Sequence, residues 1–361
     1  MVANRMINSE FWKGKKVFLT GHTGFKGSWL SIWLYSMGAI VKGYALKPAT
    51  VPSLFEIAGI NDLVESEIND IRDYPALCSS ILEFSPDIVF HMAAQPLVRE
   101  SYKKPLETYA INVMGTANLL EAVRQCATVR AIINITTDKC YENNEWVWGY
   151  KETDPMGGKD PYSSSKGCSE LVTASFRESF FRDANIGIAT ARAGNVIGGG
   201  DWAKDRLIPD ILRSFEKSQP VIIRNPKATR PWQHVLEPLS GYLMLAEQLF
   251  INPVKFSEAW NFGPNDNDVW EVDSVLKQIT NLWPGASWSQ DRDCNPHEAM
   301  LLKLDISKAS AILGWSPTWD LFITLEKIAR WHKSWLAGSD MRLQCINEIN
   351  EFIKDGMNGN N

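Results

Sequence analysis

Two groups of polar side chains in this 361-residue chain have the types and spacing needed for proton transfer. The apolar run at 130–137 leads into Thr137, Asp138 and Lys139, which place a hydroxyl, an acid and a base side by side. Tyr162 and Lys166 follow as Y-x-x-x-K, a spacing that puts both side chains on one face of a helix. Because a nearby ammonium group favours the phenolate, this pair predicts a tyrosine that removes a proton.

The acid and the base can serve one ligand only under a structural condition. Consecutive residues of a strand point to opposite faces, so a turn must follow the strand for Asp138 and Lys139 to face the same molecule. The alternatives to a catalytic role are an Asp138–Lys139 pair that packs locally or orients water, and a tyrosine and a lysine on an exposed helix surface. The Thr-bearing strand end and the glycine-rich loop upstream favour catalysis.

A glycine-rich loop stands between the first predicted strand (15–20) and the helical pattern that follows it. TGHTGFKG places Gly21, Gly24 and Gly27 where a pyrophosphate could approach the backbone and the helix N-terminus. The spacing is G-x-x-G-x-x-G rather than the usual G-x-G-x-x-G of dinucleotide-binding loops. Its position between a strand and an amphipathic helix predicts a nicotinamide dinucleotide cofactor.

Two details bear on which cofactor binds and how tightly. His22 is bulky, so it could crowd the cofactor or hydrogen-bond to it. The second strand ends in YALKP, without the acidic residue that holds the ribose 2′-hydroxyl of NAD, and Lys47 could favour a 2′-phosphate. Charge alone therefore leaves NAD and NADP open, and a weakly held, exchanging NAD is expected.

Short apolar runs alternate with helical patterns over the first 200 residues. This alternation predicts an α/β fold, a Rossmann-type doubly wound parallel sheet, with a smaller mixed α/β C-terminal substrate domain. We assign residues 1–195 to the dinucleotide-binding domain, with part of 230–262 returning to it. We expect residues 196–361 mainly to form the substrate-binding domain. Ligands of such sheets bind beyond the carboxyl ends of the strands, which is where the 130–137 run ends.

Composition excludes several other classes of protein. The net charge is −5 with no basic stripe, which argues against nucleic acid and anionic membranes as partners. No signal-peptide pattern or apolar run of about 20 residues is present. The six cysteines form no C-x-x-C pair and the five histidines have no metal-ligand spacing. We expect a cytoplasmic enzyme with reduced thiols and without a metal.

Several motifs in order resemble the extended short-chain dehydrogenase/reductase family. TGHTGFKG, DIRD (70–73), HMAAQ (91–95), TTDK (136–139), YSSSK and ARAGNVIG (191–198) match its pattern along most of the chain. The resemblance implies an NAD cofactor held by Gly21, His22, Gly24, Phe25, Lys26, Gly27, Asp70, Ile71, Ala93, Ala94, Gln95, Tyr162 and Lys166. It implies a nucleotide-sugar substrate contacted by Asn195, Arg230 and His297. It also implies a homodimer through the two long helices at 105–125 and 160–181, with a tetramer as the alternative.

Within that family, the residues after the catalytic threonine resemble those of the nucleotide-sugar 4,6-dehydratases. These enzymes commonly carry Asp-Glu where this chain has Asp138-Lys139. The resemblance implies that Tyr162, helped by Lys166, takes the proton of the sugar C4 hydroxyl while Thr137 hydrogen-bonds to it. Asp138 would protonate the leaving C6 oxygen, and Lys139 is the candidate base at C5. Because each of the two charges affects the other, the acid and the base form one coupled titration.

Two further stretches narrow the expected substrate. GHTGFKGSWL (21–30) and DCNPHEAMLLKLD (293–305) resemble the dehydratases that act on CDP-glucose, in deoxy-sugar and O-antigen biosynthesis. The alternatives are another nucleotide-sugar 4,6-dehydratase, such as one for GDP-mannose, a 4-epimerase, or a dinucleotide-binding sensor without catalysis. The base of the nucleotide rests on the resemblance alone.

Overall fold

A computed structural model describes residues 7–223, 225–283, 287–290 and 301–358, so His297 lies outside the described residues. The strands are β1 (Lys16–Thr20), β2 (Ile40–Ala45), β3 (Glu65–Ile68), β4 (Ile88–His91), β5 (Ala131–Ile135), β6 (Gly187–Ala193), β7 (Asn195–Ile197), β8 (Val221–Ile223), β9 (Thr229–His234), β10 (Ala259–Phe262), β11 (Val269–Glu271) and β12 (Trp288–Gln290). The helices are α1 (Ser9–Trp12), α2 (Phe25–Ser36), α3 (Leu54–Ile57), α4 (Tyr74–Phe84), α5 (Val98–Lys103), α6 (Pro105–Tyr109), α7 (Gly115–Arg124), α8 (Pro161–Phe176), α9 (Leu207–Glu216), α10 (Leu236–Ile251), α11 (Pro253–Phe256), α12 (Val272–Asn281), α13 (Leu321–Leu336) and α14 (Met341–Asn358).

The central sheet has seven strands in the order β10–β6–β5–β4–β1–β2–β3, and all neighbouring strands are parallel. The strand order reverses direction between β1 and β4, which creates the crevice where ligands of doubly wound sheets bind. The prediction of a Rossmann-type parallel sheet is confirmed.

Both faces of the sheet are covered, which explains why its inner strands are almost continuously apolar. In β1, Val17 and Leu19 face the apolar cluster that includes Trp29 and Trp33 of α2. Phe18, between them, faces the opposite cluster, built with α4 and α7. The alternation of strand side chains thus divides the core into two layers with helices on each side.

The second half of the chain contributes to more than one layer. Smaller sheets, β11–β9–β7 and β12–β8, stand beside α9 and α12. The edge strand β10 returns to the central sheet and pairs with β6. At the C-terminal end, Phe352 of α14 packs edge-to-face on Trp33 of α2 with ring centroids 5.8 Å apart.

The two long helices predicted at 105–125 and 160–181 are each interrupted. A π-helical turn, Ala110–Met114, separates α6 from α7, and a second one, Arg177–Phe181, follows α8. In the first turn, Asn112 accepts a hydrogen bond from the backbone N–H of Gln95 at 2.8 Å and donates to Ser165 of α8 at 2.8 Å. The π turn therefore ties the loop after β4 to α8. No helix in the described ranges is both long and apolar enough to cross a membrane.

Candidate active site

A cleft of about 840 Å³ opens at the carboxyl ends of β1, β4, β5 and β6. Most of the residues that the sequence singled out share its wall. They are Gly21, Gly24, Phe25, Lys26, Gly27, Asp70, Ile71, Ala93, Ala94, Thr137, Asp138, Lys139, Tyr162, Lys166, Asn195 and Arg230. The fold therefore gathers residues that are up to about 200 positions apart in sequence into one site.

The glycine loop has a backbone that side chains would disrupt. Gly21 has φ +78°, and a Cβ there would lie 2.8 Å from the backbone nitrogen of Ala93. A Cβ on Gly27 would lie 2.1 Å from the carbonyl oxygen of Gly21. Gly24 is the N-cap of α2 and no side chain caps the helix, so the first-turn N–H groups can meet an anion in the cleft. These residues fit a dinucleotide diphosphate.

Lys26, in the first turn of α2, lines the same cleft as the residues predicted to be catalytic. Its ammonium nitrogen lies 5.9 Å from the centroid of the Tyr242 ring. Burial lowers the pKa of Lys26, Lys166 and Arg206 add to this effect and Asp138 opposes it, so that the net pKa is about 7. The charge of Lys26 therefore interacts with two residues predicted to be catalytic, Lys166 and Asp138.

The far end of the cleft contains the DIRD segment. Both carboxylate oxygens of Asp70 accept hydrogen bonds from Arg72, the shortest at 2.6 Å, and this contact lowers the pKa of Asp70. Ile71 is buried against Gly115 of α7, where a Cβ would lie 2.8 Å from the isoleucine side chain. Asp70 and Ile71, which the resemblance assigns to NAD, therefore lie in the wall of the cleft just after β3.

Two residues assigned to the cofactor have structural contacts instead. His22 is fully buried beneath the loop, where its ring packs against Phe55 and its Nε2 lies 2.7 Å from Ser66 Oγ. Burial lowers the pKa of His22 to about 4, so it is neutral rather than cationic. The Gln95 side chain makes hydrogen bonds with the backbone of Leu97 and the hydroxyl of Thr108, and these bonds shape the loop after β4. The structure therefore does not place these two side chains in the described wall of the cleft.

The acid and the base lie in a turn directly after β5. Thr137 caps a short 3₁₀ helix, Asp138–Cys140, and accepts a hydrogen bond from the backbone N–H of Lys139. Its hydroxyl donates to Asp138 Oδ1 at 3.0 Å. A Cβ on Gly194 would come within 3.1 Å of Asp138 Oδ2, so the glycine of ARAGNVIG leaves room for this carboxylate. The turn satisfies the condition for an acid and a base to face one ligand.

Tyr162 and Lys166 lie on α8, whose N-terminus is capped by Asp160. Burial and the nearby Asp138 raise the pKa of Tyr162, the contact with Thr137 and the positive charge of Arg206 lower it, and the net pKa is about 12. The sequence assigned the second effect to Lys166. Burial lowers the pKa of Lys166 itself to about 8, and its ammonium group donates to the carbonyl oxygen of Ile135 at 3.1 Å.

Arg206 is a cleft residue that sequence reasoning missed. It is the N-cap of α9, and its guanidinium group donates to Asp201 Oδ2 at 2.8 Å. On the same side, Asn195 of β7 and Arg230 of β9 line the cleft, and Arg230 donates to the carbonyl oxygen of Thr229 at 2.9 Å. The signal available in the sequence was an arginine shortly after the ARAGNVIG strand. Guanidinium forks and amides suit a diphosphate.

The described residues contain no group of three or more His, Cys, Asp or Glu side chains arranged to hold a metal ion. The side chains of the cleft that can transfer protons include Tyr162, Thr137, Asp138 and the lysines on the described walls.

Comparisons with known proteins agree with this geometry. The family model described as GDP-mannose 4,6 dehydratase matches residues 18–328. A CDP-glucose 4,6-dehydratase of Salmonella typhimurium is 62% identical over 354 residues, which cover 96% of this chain and 99% of that protein. A dTDP-D-glucose 4,6-dehydratase of Dictyostelium discoideum is 25% identical over 74% of this chain and 62% of that protein.

Solved structures show the same fold. A UDP-glucose 4-epimerase from Thermotoga maritima, solved with UDP-glucose, has a TM-score of 0.78 at 20% identity, covering 89% of this chain and 99% of that one. A dTDP-glucose 4,6-dehydratase from Bacillus anthracis, solved with NAD, has a TM-score of 0.75 at 18% identity, covering 91% and 100%. Because the family model spans most of the chain and the Salmonella relative is similar along nearly its whole length, the chain belongs to the GDP-mannose 4,6-dehydratase family, within the extended short-chain dehydrogenases/reductases.

Proposed function

We propose that this protein removes water from CDP-D-glucose to give CDP-4-keto-6-deoxy-D-glucose, with NAD as its cofactor, in deoxy-sugar and O-antigen biosynthesis. The observation that carries the proposal is the shared cleft of Thr137, Tyr162 and Lys166 with the adjacent Asp138 and Lys139. The first three residues suffice for oxidation at C4, whereas the last two supply an acid and a base for elimination. The 62% identity with a CDP-glucose 4,6-dehydratase supports the choice of substrate.

In this proposal Tyr162, Lys139 and Asp138 each transfer one proton. The glycine loop and the first turn of α2 would hold NAD, which would supply a hydride acceptor for C4 and, once reduced, a hydride donor for C6. Tyr162 takes the proton of the C4 hydroxyl, which Thr137 orients. The resulting ketone acidifies the hydrogen on C5, which Lys139 removes, while Asp138 protonates the departing C6 oxygen. For this, Lys139 must be neutral and Asp138 protonated when they act.

NAD is supported by the glycine loop and by the capless start of α2, described above. Lys47 lines the cleft near the end of β2, so a 2′-phosphate would meet a positive charge there. NAD and NADP should therefore be compared directly. The described thiols, Cys78, Cys126, Cys140, Cys168 and Cys345, are free, which supports a reducing, cytoplasmic location.

The substrate is tested with the purified chain, NAD or NADP, and CDP-glucose, dTDP-glucose, UDP-glucose or GDP-mannose. We expect loss of water from CDP-glucose, seen by mass spectrometry and by the near-ultraviolet absorbance of the alkali-treated 4-keto product. Tyr162→Phe is the inactive control. An isomer of unchanged mass would identify an epimerase, faster dehydration of another sugar would change the substrate, and cofactor binding without turnover would identify a sensor.

We further propose that two copies pair through the face formed by α6, α7, α8 and the π turns beside them. This face exposes Leu106, Met114, Leu171 and Phe180, and Leu106 is 84% exposed. Arg124 of α7 lies over the ring of Phe180, in the π turn after α8, at 5.4 Å, so the two helical segments contact each other at this face. Monomers seldom leave such an apolar patch in water.

Light scattering after size exclusion tests the dimer. The wild type should have twice the mass of one chain, and Leu106→Glu with Leu171→Glu should give one chain mass. Leu336→Glu, on α13 and 51% exposed, is the matched control and should leave the dimer intact. A monomeric wild type would contradict the proposal, and a fourfold mass would indicate the tetramer.

A further inference from the structure

The turn that carries the acid and the base is anchored at its first end by a buried carboxylate. Thr136, which precedes the turn, donates a hydrogen bond from its hydroxyl to Glu170. Glu170 lies one helical turn after Lys166 on α8 and is 5% exposed. It also accepts from Thr190 at 2.6 Å and from Arg192 through Nε and Nη2, both at 2.9 Å. Several donors thus converge on this carboxylate.

The other end of the turn is anchored on the same ion pair. Tyr141 directly follows the 3₁₀ helix, and its hydroxyl accepts a hydrogen bond from Arg192 Nη1 at 2.7 Å. The same hydroxyl donates to Asn261 Oδ1 at 2.8 Å. The Arg192 guanidinium carbon lies 4.8 Å from the centroid of the Tyr141 ring. Thr136 and Tyr141 lie on either side of Asp138 and Lys139. Glu170 therefore holds one end of the turn, through Thr136, and Arg192 holds the other end, through Tyr141.

Two of the three groups predicted for oxidation have other anchors, whereas Thr137 lies at the start of the turn itself. Tyr162 is fixed by the first turn of α8, and Lys166 binds the carbonyl oxygen of Ile135. A change at Tyr141 therefore reaches Asp138 and Lys139 without removing a contact of Tyr162 or Lys166. A buried ion pair adds little net stability, so its value here is a defined geometry rather than a tighter fold.

We propose that the Glu170–Arg192 pair is a positioning device that holds the acid-base turn at the angle needed for elimination, and that elimination depends on it more strongly than oxidation at C4, for which Tyr162 and Lys166 have their own anchors. The inference rests on the proposed dehydration. Because a displacement of about 1 Å can cost on the order of a hundredfold in rate, loosening one anchor should slow the elimination measurably.

The test is Tyr141→Phe in the full-length protein with NAD and CDP-glucose. We expect kcat to fall by about tenfold or more with KM changed less than about twofold, and reduced cofactor to accumulate in a single turnover. Deuterium from solvent should enter C5 more slowly by the same factor. Tyr150→Phe is the matched control, because Tyr150 is also buried and stacks on Tyr141 at 5.2 Å without touching the ion pair, and its kcat should stay near the wild-type value.

A second pair of variants covers the case in which Tyr141→Phe does not fold. Thr136→Val should show the same accumulation of reduced cofactor, and Thr136→Ser, which keeps the hydroxyl, should restore turnover. Wild-type kinetics in both Tyr141→Phe and Thr136→Val, or an equal loss of oxidation and elimination, would overturn the positioning role. A wild-type protein that does not dehydrate CDP-glucose would instead overturn the proposed function.

Discussion

The ammonium group of Lys166 donates a hydrogen bond to the carbonyl oxygen of Ile135 at 3.1 Å, which ties α8 to the end of β5. This bond joins the helix of the Y-x-x-x-K pair to the strand that leads into the acid-base turn. It also keeps the lysine buried, and burial lowers its pKa to about 8.

The pKa of Lys166 predicts the alkaline limit of activity. Above about pH 8 the lysine loses its proton, so its charge no longer assists proton removal from the C4 hydroxyl, and kcat should fall. A pH profile of kcat from purified protein measures this limb. Lys166→Arg keeps the charge because arginine is not deprotonated. We expect this variant to have a lower kcat, and its pH profile should show no decrease near pH 8. An unchanged limb in that variant would assign the ionisation to another group.

Lys139→Met should separate the two halves of the reaction. Oxidation at C4 uses Thr137 and Tyr162, so reduced cofactor should still form, whereas removal of the C5 proton should stop. Single-turnover absorbance reports the first step, and deuterium incorporation at C5 reports the second. Lys151→Met, at an exposed lysine in the same connecting segment, should behave as wild type. Full dehydratase activity in Lys139→Met would exclude Lys139 as the base.

Arg206→Met should weaken binding of the nucleotide sugar and change the ionisation of Tyr162. Without the guanidinium group a diphosphate contact is lost, and KM should rise by about tenfold. The pKa of Tyr162, about 12 in the wild type, should rise because Arg206 lowers it. Arg182→Met, at an arginine paired with Glu178 on the surface, is the control. An unchanged KM with a lower melting temperature would reduce Arg206 to a structural role.

Gly27→Ala should abolish NAD binding. Its Cβ would lie 2.1 Å from the carbonyl oxygen of Gly21, a backbone atom that cannot move without opening the loop. Calorimetric titration with NAD measures the loss. Gly356→Ala, also within a helix, has its nearest contact at 3.4 Å and should be neutral or stabilising by up to about 1 kcal/mol. NAD affinity within about threefold of wild type in Gly27→Ala would contradict the proposed contact.

His22 should make the fold sensitive to acid. Its pKa is lowered from 6.5 to about 4, so between these values the unfolded chain binds a proton that the folded chain does not. The free energy of unfolding should therefore decrease as the pH falls from 6.5 towards 4, by at most about 3 kcal/mol from this residue. Urea unfolding of wild type and His22→Gln across this range measures the difference. Parallel curves for the two proteins would show that His22 does not contribute.

The sequence was sufficient for features that are encoded in short windows. Apolar runs without alternation indicated a sheet covered on both faces, and TGHTGFKG indicated the turn that needs Gly21 and Gly27. The Y-x-x-x-K spacing indicated a shared helix face. Each of these depends on residues within a few positions of one another, where backbone geometry fixes the outcome.

Other features depended on contacts between distant segments. His22 follows a glycine in the loop pattern, and from the sequence it was assigned to the cofactor. In the tertiary structure its ring is buried against Gly43, and it fits there because glycine has no Cβ. Gln95 was likewise assigned to the cofactor, but its side chain makes hydrogen bonds with Leu97 and Thr108, and the bond to Thr108 depends on how the loop after β4 packs against α6.

By itself the sequence determined the parallel sheet, the glycine turn and the order of hydroxyl, acid and base after β5, because spacing and burial periodicity are local properties of the chain. Only the tertiary structure decided that Arg206 is the cation that lowers the pKa of Tyr162, and that Glu170 and Arg192 hold both ends of the acid-base turn. Those contacts join residues 22 to 51 positions apart, and their distances are set by how the helices pack on the sheet rather than by any pattern along the chain.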